Sequence, residues 1–87
     1  MINYRINDDK ILFTQLGEEG VIYDSENNKY LSVNETLFKI LRGINEGLPV
    51  ETIIQNLCAE YDISEEACTF EVNKVLSQLL EKQYISA

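Results

Sequence analysis

The sequence has no histidine and no tryptophan. Without an imidazole, Ser-His and Cys-His nucleophile pairs are excluded, and so is any metal site built on His. Cysteine occurs twice, at Cys58 and Cys68, which is too few for the disulfide framework of a small secreted domain. The two do not form a C-x-x-C pair, and each falls on the apolar side of a predicted helix, where a thiol usually acts as a small hydrophobe. Proline occurs once and glycine four times, with no low-complexity stretch and no internal repeat. Basic residues are scarce: seven Lys and Arg stand against fifteen Asp and Glu, a formal net charge of −8. Such a field repels phosphate backbones and anionic membranes and favours encounter with basic partners. No apolar run reaches the roughly 20 residues that a membrane span needs. The opening Met1-Ile2-Asn3-Tyr4-Arg5 lacks the basic-then-apolar layout of a secretion signal. The chain therefore reads as cytoplasmic, with reduced thiols, no cofactor, and neither nucleic acid nor membrane as partner.

What remains is the composition of one small folded domain spanning residues 1–87, with 45% apolar and 25% charged side chains. The first third has strand character. Ile11 to Leu16 is an apolar run with β-branched and aromatic members, Gly17 to Gly20 reads as a turn, and Val21 to Asp24 is a second run. Ser25 to Asn28 is polar, and Lys29-Tyr30-Leu31-Ser32-Val33 is a third run. Short apolar runs punctuated by Gly and Asn clusters read as two successive hairpins, a three-stranded antiparallel meander that Tyr4 and Ile6 extend.

From Asn34 the periodicity becomes helical. Asn34 suits an N-cap, Glu35 sits where the helix dipole favours a carboxylate, and Val33 and Phe38 stand at staple positions. Leu37, Ile40, Leu41 and Ile44 recur on one face, Gly47 closes this helix and Pro49 opens the next. The second helix carries Val50, Ile53, Ile54, Leu57 and Tyr61. Ser64 caps a third, with Cys68, Val72, Val75, Leu76, Leu79 and Leu80 in a stripe wider than one buried seam requires. Val72, Leu76 and Leu79 suit core packing, while Cys68 and Val75 lie toward one flank that can line a groove. The order is β-β-β-α-α-α.

Four chemistries fail on inspection. The acidic pairs Asp8-Asp9, Glu18-Glu19 and Glu65-Glu66 fall at turns and a helix start, where carboxylates are normally solvated, and Gly17 and Gly20 read as turn glycines rather than a phosphate loop. An acyl carrier needs a phosphopantetheine serine opening a helix in an Asp-Ser-Leu setting; Asp24-Ser25-Glu26 lies in a hairpin turn without the leucine. A winged-helix DNA-binding regulator needs a basic recognition helix. The third helix instead carries Glu65, Glu66, Glu71 and Glu81 against Lys74 and Lys82. An enzyme is not expected.

Three features together resemble a known family. They are the run Tyr23-Asp24-Ser25-Glu26-Asn27-Asn28-Lys29-Tyr30-Leu31-Ser32-Val33-Asn34, then Phe38 and Ile40 in a helix ended by Gly47, and finally Glu71-Val72, Val75-Leu76 and Leu79 before Tyr84-Ile85. Over about residues 10–86 the chain is similar to the PqqD-like family, also called RiPP recognition elements. It departs from the family pattern at Val33, where Leu is usual, at Gln83, where Gly is usual, and in the first helix, where an aromatic often found is replaced by Leu41 or a neighbour. The resemblance implies an α+β, winged-helix-like fold. It also implies that a precursor peptide's leader adds as a strand to the third strand and lies against the third helix. The implied partners are a leader peptidase and a cyclase in lasso-peptide biosynthesis, or, in the alternative, a radical maturation enzyme that such a carrier serves.

On this sequence the third strand would supply the docking ladder through Lys29, Tyr30, Leu31, Ser32 and Val33, because an edge strand presents unpaired backbone groups that an extended peptide satisfies. Tyr30 and Ser32 share one face, and Lys29, Leu31 and Val33 the other. Cys68, Val72, Val75 and Leu79 would form an apolar floor, flanked by Glu71 and Gln78, with Glu71 favouring a basic leader residue through a charge-assisted hydrogen bond. The same open edge could pair two copies into a homodimer.

Overall fold

The computed structural model describes residues 3–16 and 19–87. The strands are β1 (Arg5–Ile6), β2 (Ile11–Leu16), β3 (Glu19–Asp24), β4 (Lys29–Val33) and β5 (Ile85–Ser86). The helices α1 (Glu35–Asn45), α2 (Val50–Tyr61) and α3 (Glu65–Glu81) lie between β4 and β5. This is an α+β fold in which a three-stranded antiparallel sheet, in the order β2-β3-β4, is followed by three helices.

The expected meander forms, with Phe13 opposite Ile22, Ile22 opposite Leu31, and Tyr23 opposite Tyr30. Because strand side chains alternate, Ile11, Phe13, Ile22, Leu31 and Val33 share one face, which packs into the core. Leu12 and Tyr30 are exposed on the other. Ile40, Leu41 and Ile44 of α1, Ile53 and Leu57 of α2, and Val72, Leu76 and Leu79 of α3 complete the core.

Two expectations about the strands require correction. Tyr4 and Ile6 do not extend the meander. The chain turns at Asn7, whose carbonyl accepts from both Lys10 and Ile11, and β1 pairs with β5 in a separate two-stranded sheet, Arg5 opposite Ser86 and Ile6 opposite Ile85. Gly20 is not a turn glycine. It lies within β3, paired with Val33, and a Cβ there would sit 2.7 Å from Phe38 and 2.8 Å from Val33. The missing side chain lets the sheet approach α1. Gly17 lies outside the described residues.

The helix ends follow from local chemistry. The side chains of Asn34 and Ser64 accept from the backbone N–H of Leu37 and Ala67, satisfying donors that the first turn leaves unpaired. Pro49 is the N-cap of α2 rather than its first residue. At the end of α1, Gly47 has φ +80°, and the N–H groups of Gly47 and Leu48 return to the carbonyls of Ile44 and Gly43 at 3.0 Å each, the paired bonds of a Schellman motif. α3 ends in the same way: Gln83 at φ +62°, with Gln83 and Tyr84 donating to Leu80 and Leu79. Here a residue with a Cβ occupies the left-handed position.

Gln83→Gly should therefore raise unfolding free energy in urea titrations by up to about 1 kcal/mol. Gly20→Ala should lower it by roughly 1–3 kcal/mol, since Phe38 and Val33 must move.

Candidate functional site

A buried carboxylate fixes the position of β4 relative to α3. Asp24 ends β3 and is 2% exposed. Its carboxylate accepts the backbone N–H groups of Glu26 (3.1 Å) and Asn27 (3.0 Å), the Asn27 side-chain amide (2.8 Å) and the phenol of Tyr84 (2.8 Å). The first three bonds shape the β3–β4 turn as an Asx-type turn. The fourth reaches across 60 residues to the segment just after α3. Donation from Asn27, through its side chain and then its backbone, holds the Asp24 carboxyl down to about 2, with Tyr84 adding to the effect. Burial, together with the bond to Asp24, pushes the Tyr84 phenol up to about 12. Charge on Asp24 and a proton on Tyr84 are thus favoured together.

With the hairpin tied to the C-terminal end of α3, the outer edge of β4 and the flank of α3 stand on either side of an open cleft of about 720 Å³. Its strand wall is Leu31, Ser32 and Val33, and its helix wall is Cys68, Glu71, Val72, Val75, Gln78 and Leu79. β4 pairs only with β3 among the described residues, so its other edge carries unpaired backbone groups toward this space. The cleft brings together all of the peptide-binding residues expected from sequence except Lys29 and Tyr30. Lys29 lines a smaller hollow beside the β3–β4 turn, with Asn27, Lys82 and Tyr84. Tyr30 is 74% exposed on the opposite face of the sheet, its ring centroid 4.9 Å from that of Tyr23. Cys68, Val72 and Leu79 are almost wholly buried beneath the cleft, whereas Val75 is half-buried and Glu71 and Gln78 are exposed along its rim.

Sequence reasoning misses the far end of the cleft. Leu37 of α1, Tyr61 at the end of α2 and Ile63 in the α2–α3 loop also line it, and Lys82 and Tyr84 line the end near the turn. The helical spacing of Leu37 and Tyr61 predicts core residues; the signal pointing to the cleft is their place at helix ends, where one face meets the strand wall instead of the interior. Tyr61 is held by Lys39, whose ammonium lies 3.0 Å from the Tyr61 phenol and 3.0 Å from Glu35 and also contacts Glu60. That cluster, with Glu60 foremost and Tyr61 next, raises the Lys39 pKa, and Lys39 in turn lowers that of Glu35.

The two cysteines meet across the α2–α3 interface. Cys68 Sγ donates to the carbonyl of Ile54 at 3.5 Å, and Cys58 Sγ lies 3.9 Å from the carbonyl of Ser64. Each thiol reaches the carbonyl four residues before the other cysteine. Burial first, then contact with Cys58, pushes the Cys68 thiol up to about 11, so it remains protonated and unreactive near neutral pH.

The sequence profile of coenzyme PQQ synthesis protein D (PqqD) matches residues 19–85. Two solved structures share the fold. "TbiB1 in Complex with the TbiA(beta) Leader Peptide" superposes with a TM-score of 0.86 at 20% identity, covering 95% of each chain. "Lasso peptide synthetase B1 complexed with the leader peptide" gives 0.85 at 19% identity, covering 99% of this chain and 100% of the other. No curated protein matches the chain at significance.

Three outcomes follow from the site. Tyr84→Phe should lower the melting temperature by on the order of 5 °C near neutral pH. The Asp24 carboxyl is lower in the folded than in the unfolded chain, so its contribution is complete above the ordinary aspartate value of about 4. It is lost as pH falls from there toward 2, and wild-type stability should drop across that window, which acid titration followed by circular dichroism would show. Iodoacetamide at pH 7 should label Cys58 in the native protein and leave Cys68 unmodified until denaturant is added.

Proposed function

The chain belongs to the PqqD family, and from that premise we propose that it binds the leader segment of a ribosomally synthesised precursor peptide and presents it to the enzymes that process it. The guest adds as an extended strand to the open edge of β4 and rests against α3. Lys29 to Val33 offer the backbone ladder, which is largely indifferent to sequence. The cleft supplies selectivity, with Cys68, Val72, Val75 and Leu79 as its apolar floor and Glu71 and Gln78 as polar contacts on the rim. The single observation that carries this reading is the coincidence of a strand edge, unpaired among the described residues, with a cleft of about 720 Å³ directly beside it. A flat edge alone would invite any strand; a cleft alone would suit a small molecule.

Lasso-peptide biosynthesis is the favoured setting. The shared fold of two leader-bound proteins, one of them named as a lasso peptide synthetase B1, supports it. In that setting the chain hands its guest to a separate leader peptidase and a cyclase. The match to coenzyme PQQ synthesis protein D supports a second setting, in which a similar carrier serves a radical maturation enzyme. In either, this chain is a docking module in the cytoplasm and performs no catalysis of its own. Pairing of two copies through β4 would compete with the guest for the same edge.

A labelled leader from the precursor encoded with this chain, titrated by fluorescence anisotropy, tests the reading. Wild type should bind saturably, and Val75→Asp, which places a charge in the cleft at a half-exposed position, should weaken binding by roughly tenfold or more with an unchanged circular dichroism spectrum. Leu31→Pro should abolish strand addition, with circular dichroism used to check that the sheet survives. Undiminished binding by a folded Val75→Asp variant would place the leader elsewhere.

A further inference from the structure

The cleft presents an exposed carboxylate toward one end and exposed ammonium groups toward the other, at a spacing comparable to a few residues of an extended chain. Lys82 lines both the cleft and the hollow beside the β3–β4 turn, where Lys29 joins it. Glu71 lies eleven residues earlier on α3, about 16 Å along the helix axis, and so at the end of the cleft near Val33. β4 spans a comparable distance: four steps from Lys29 to Val33 cover about 13 Å. The helix and the strand thus run in opposite directions, with Glu71 beside the end of β4 and Lys82 beside its start.

Both ends have charge available. Among the described residues the ion pairs all belong to Lys39, so none engages Glu71, Lys29 or Lys82. At the lysine end Glu26 is also present, and Asp24 lies beneath, but the Asp24 oxygens are occupied by four internal donors. The exposed groups at this end are two ammoniums and the Glu26 carboxylate; with the ionised Asp24 beneath, the four side chains balance formally, so an acidic guest residue is met by direct contact with the two ammoniums and not by a net positive field. The Lys82 ammonium lies 5.8 Å from the centre of the Tyr84 ring, which directs it over the wall of the cleft. Between the charged ends the surface is apolar, formed by Leu31, Val75 and Leu79.

Resting on the strand-addition reading above, we propose that the cleft selects the charge order of its guest. A guest on β4 continues a sheet in which each described pairing is antiparallel, the more stable pairing per residue. Its N-terminal part then lies beside Val33 and Glu71, and its C-terminal part beside Lys29 and Lys82. Guest residues opposite Val33, Leu31 and Lys29 are two apart and point to the cleft side. The preferred guest is basic-x-apolar-x-acidic, read from N to C. The basic residue meets Glu71, the apolar residue fills the centre over Val75 and Leu79, and the acidic residue meets Lys29 and Lys82. The reversed pattern, acidic-x-apolar-x-basic, places like charges together at both ends.

Selection from a displayed library of random nonapeptides tests this and requires no leader sequence. Three proteins are used as bait: wild type, the double variant Glu71→Lys with Lys82→Glu, and Val75→Asp. Wild type should enrich basic-x-apolar-x-acidic over the reversed pattern by about tenfold at low salt, falling toward parity in 0.5 M salt as the exposed pairs are screened. The double variant should invert the preference. Enrichment of apolar-centred peptides with no charge order, or with the reversed order in wild type, overturns the proposed polarity while strand addition in the cleft stands, provided those peptides are lost on Val75→Asp. Peptides that Val75→Asp retains equally, or no enrichment at all, would overturn the cleft as the binding site and the polarity with it.

Discussion

The bond between Asp24 and Tyr84 is the constraint on which the rest of the site depends. It joins the tip of one hairpin to the segment that leaves the last helix, 60 residues apart in sequence. The cost of burying a carboxylate is met locally, because the turn itself supplies three N–H donors before the phenol arrives. The hairpin therefore has a fixed shape, and the fourth bond fixes its place. β4 is held beside α3 at one end while the two diverge enough to leave an open cleft. A wholly apolar contact at the same point would lack direction and let the sheet slide toward the helix.

The other end of the cleft is braced by different means. Gly20 admits Phe38 to close contact with the sheet, which seats α1 against β3. Lys39 gathers Glu35, Glu60 and Tyr61, tying α1 to the end of α2. Exposed ion pairs contribute little individually, but this one positions an aromatic side chain that lines the cleft. Between these braces lie a surface with few polar groups and the outer edge of β4, which is unpaired among the described residues. An extended chain meets both needs at once, giving hydrogen bonds to the edge and alternate side chains to the floor.

Much of this is legible in the sequence because it depends on short-range signals. The meander follows from alternation and turn residues, and the helices from Asn34, Ser64 and the three- and four-residue spacing of their apolar positions. What escapes is long-range. Nothing local distinguishes Ile6 as a partner for Ile85 rather than an extension of β2, since a two-residue strand carries too little pattern to specify its neighbour. Gly20 resembles a turn glycine because the reason for it, the Phe38 ring, lies 18 residues away. Asp24 reads as part of a motif, but its burial requires Tyr84. Leu37 and Tyr61 look like core because helical spacing shows which face is apolar and not what covers that face. Gln83 is visible as a departure from the family pattern, and its left-handed backbone conformation explains why glycine is the usual residue there.

Amide hydrogen exchange across Lys29–Val33, measured with and without a saturating leader peptide, tests the account most directly. If a guest strand docks on this edge, the backbone N–H groups of β4 that face away from β3 become strongly protected on binding, in alternation along the strand. A leader that binds tightly while those amides exchange as fast as before would contradict it.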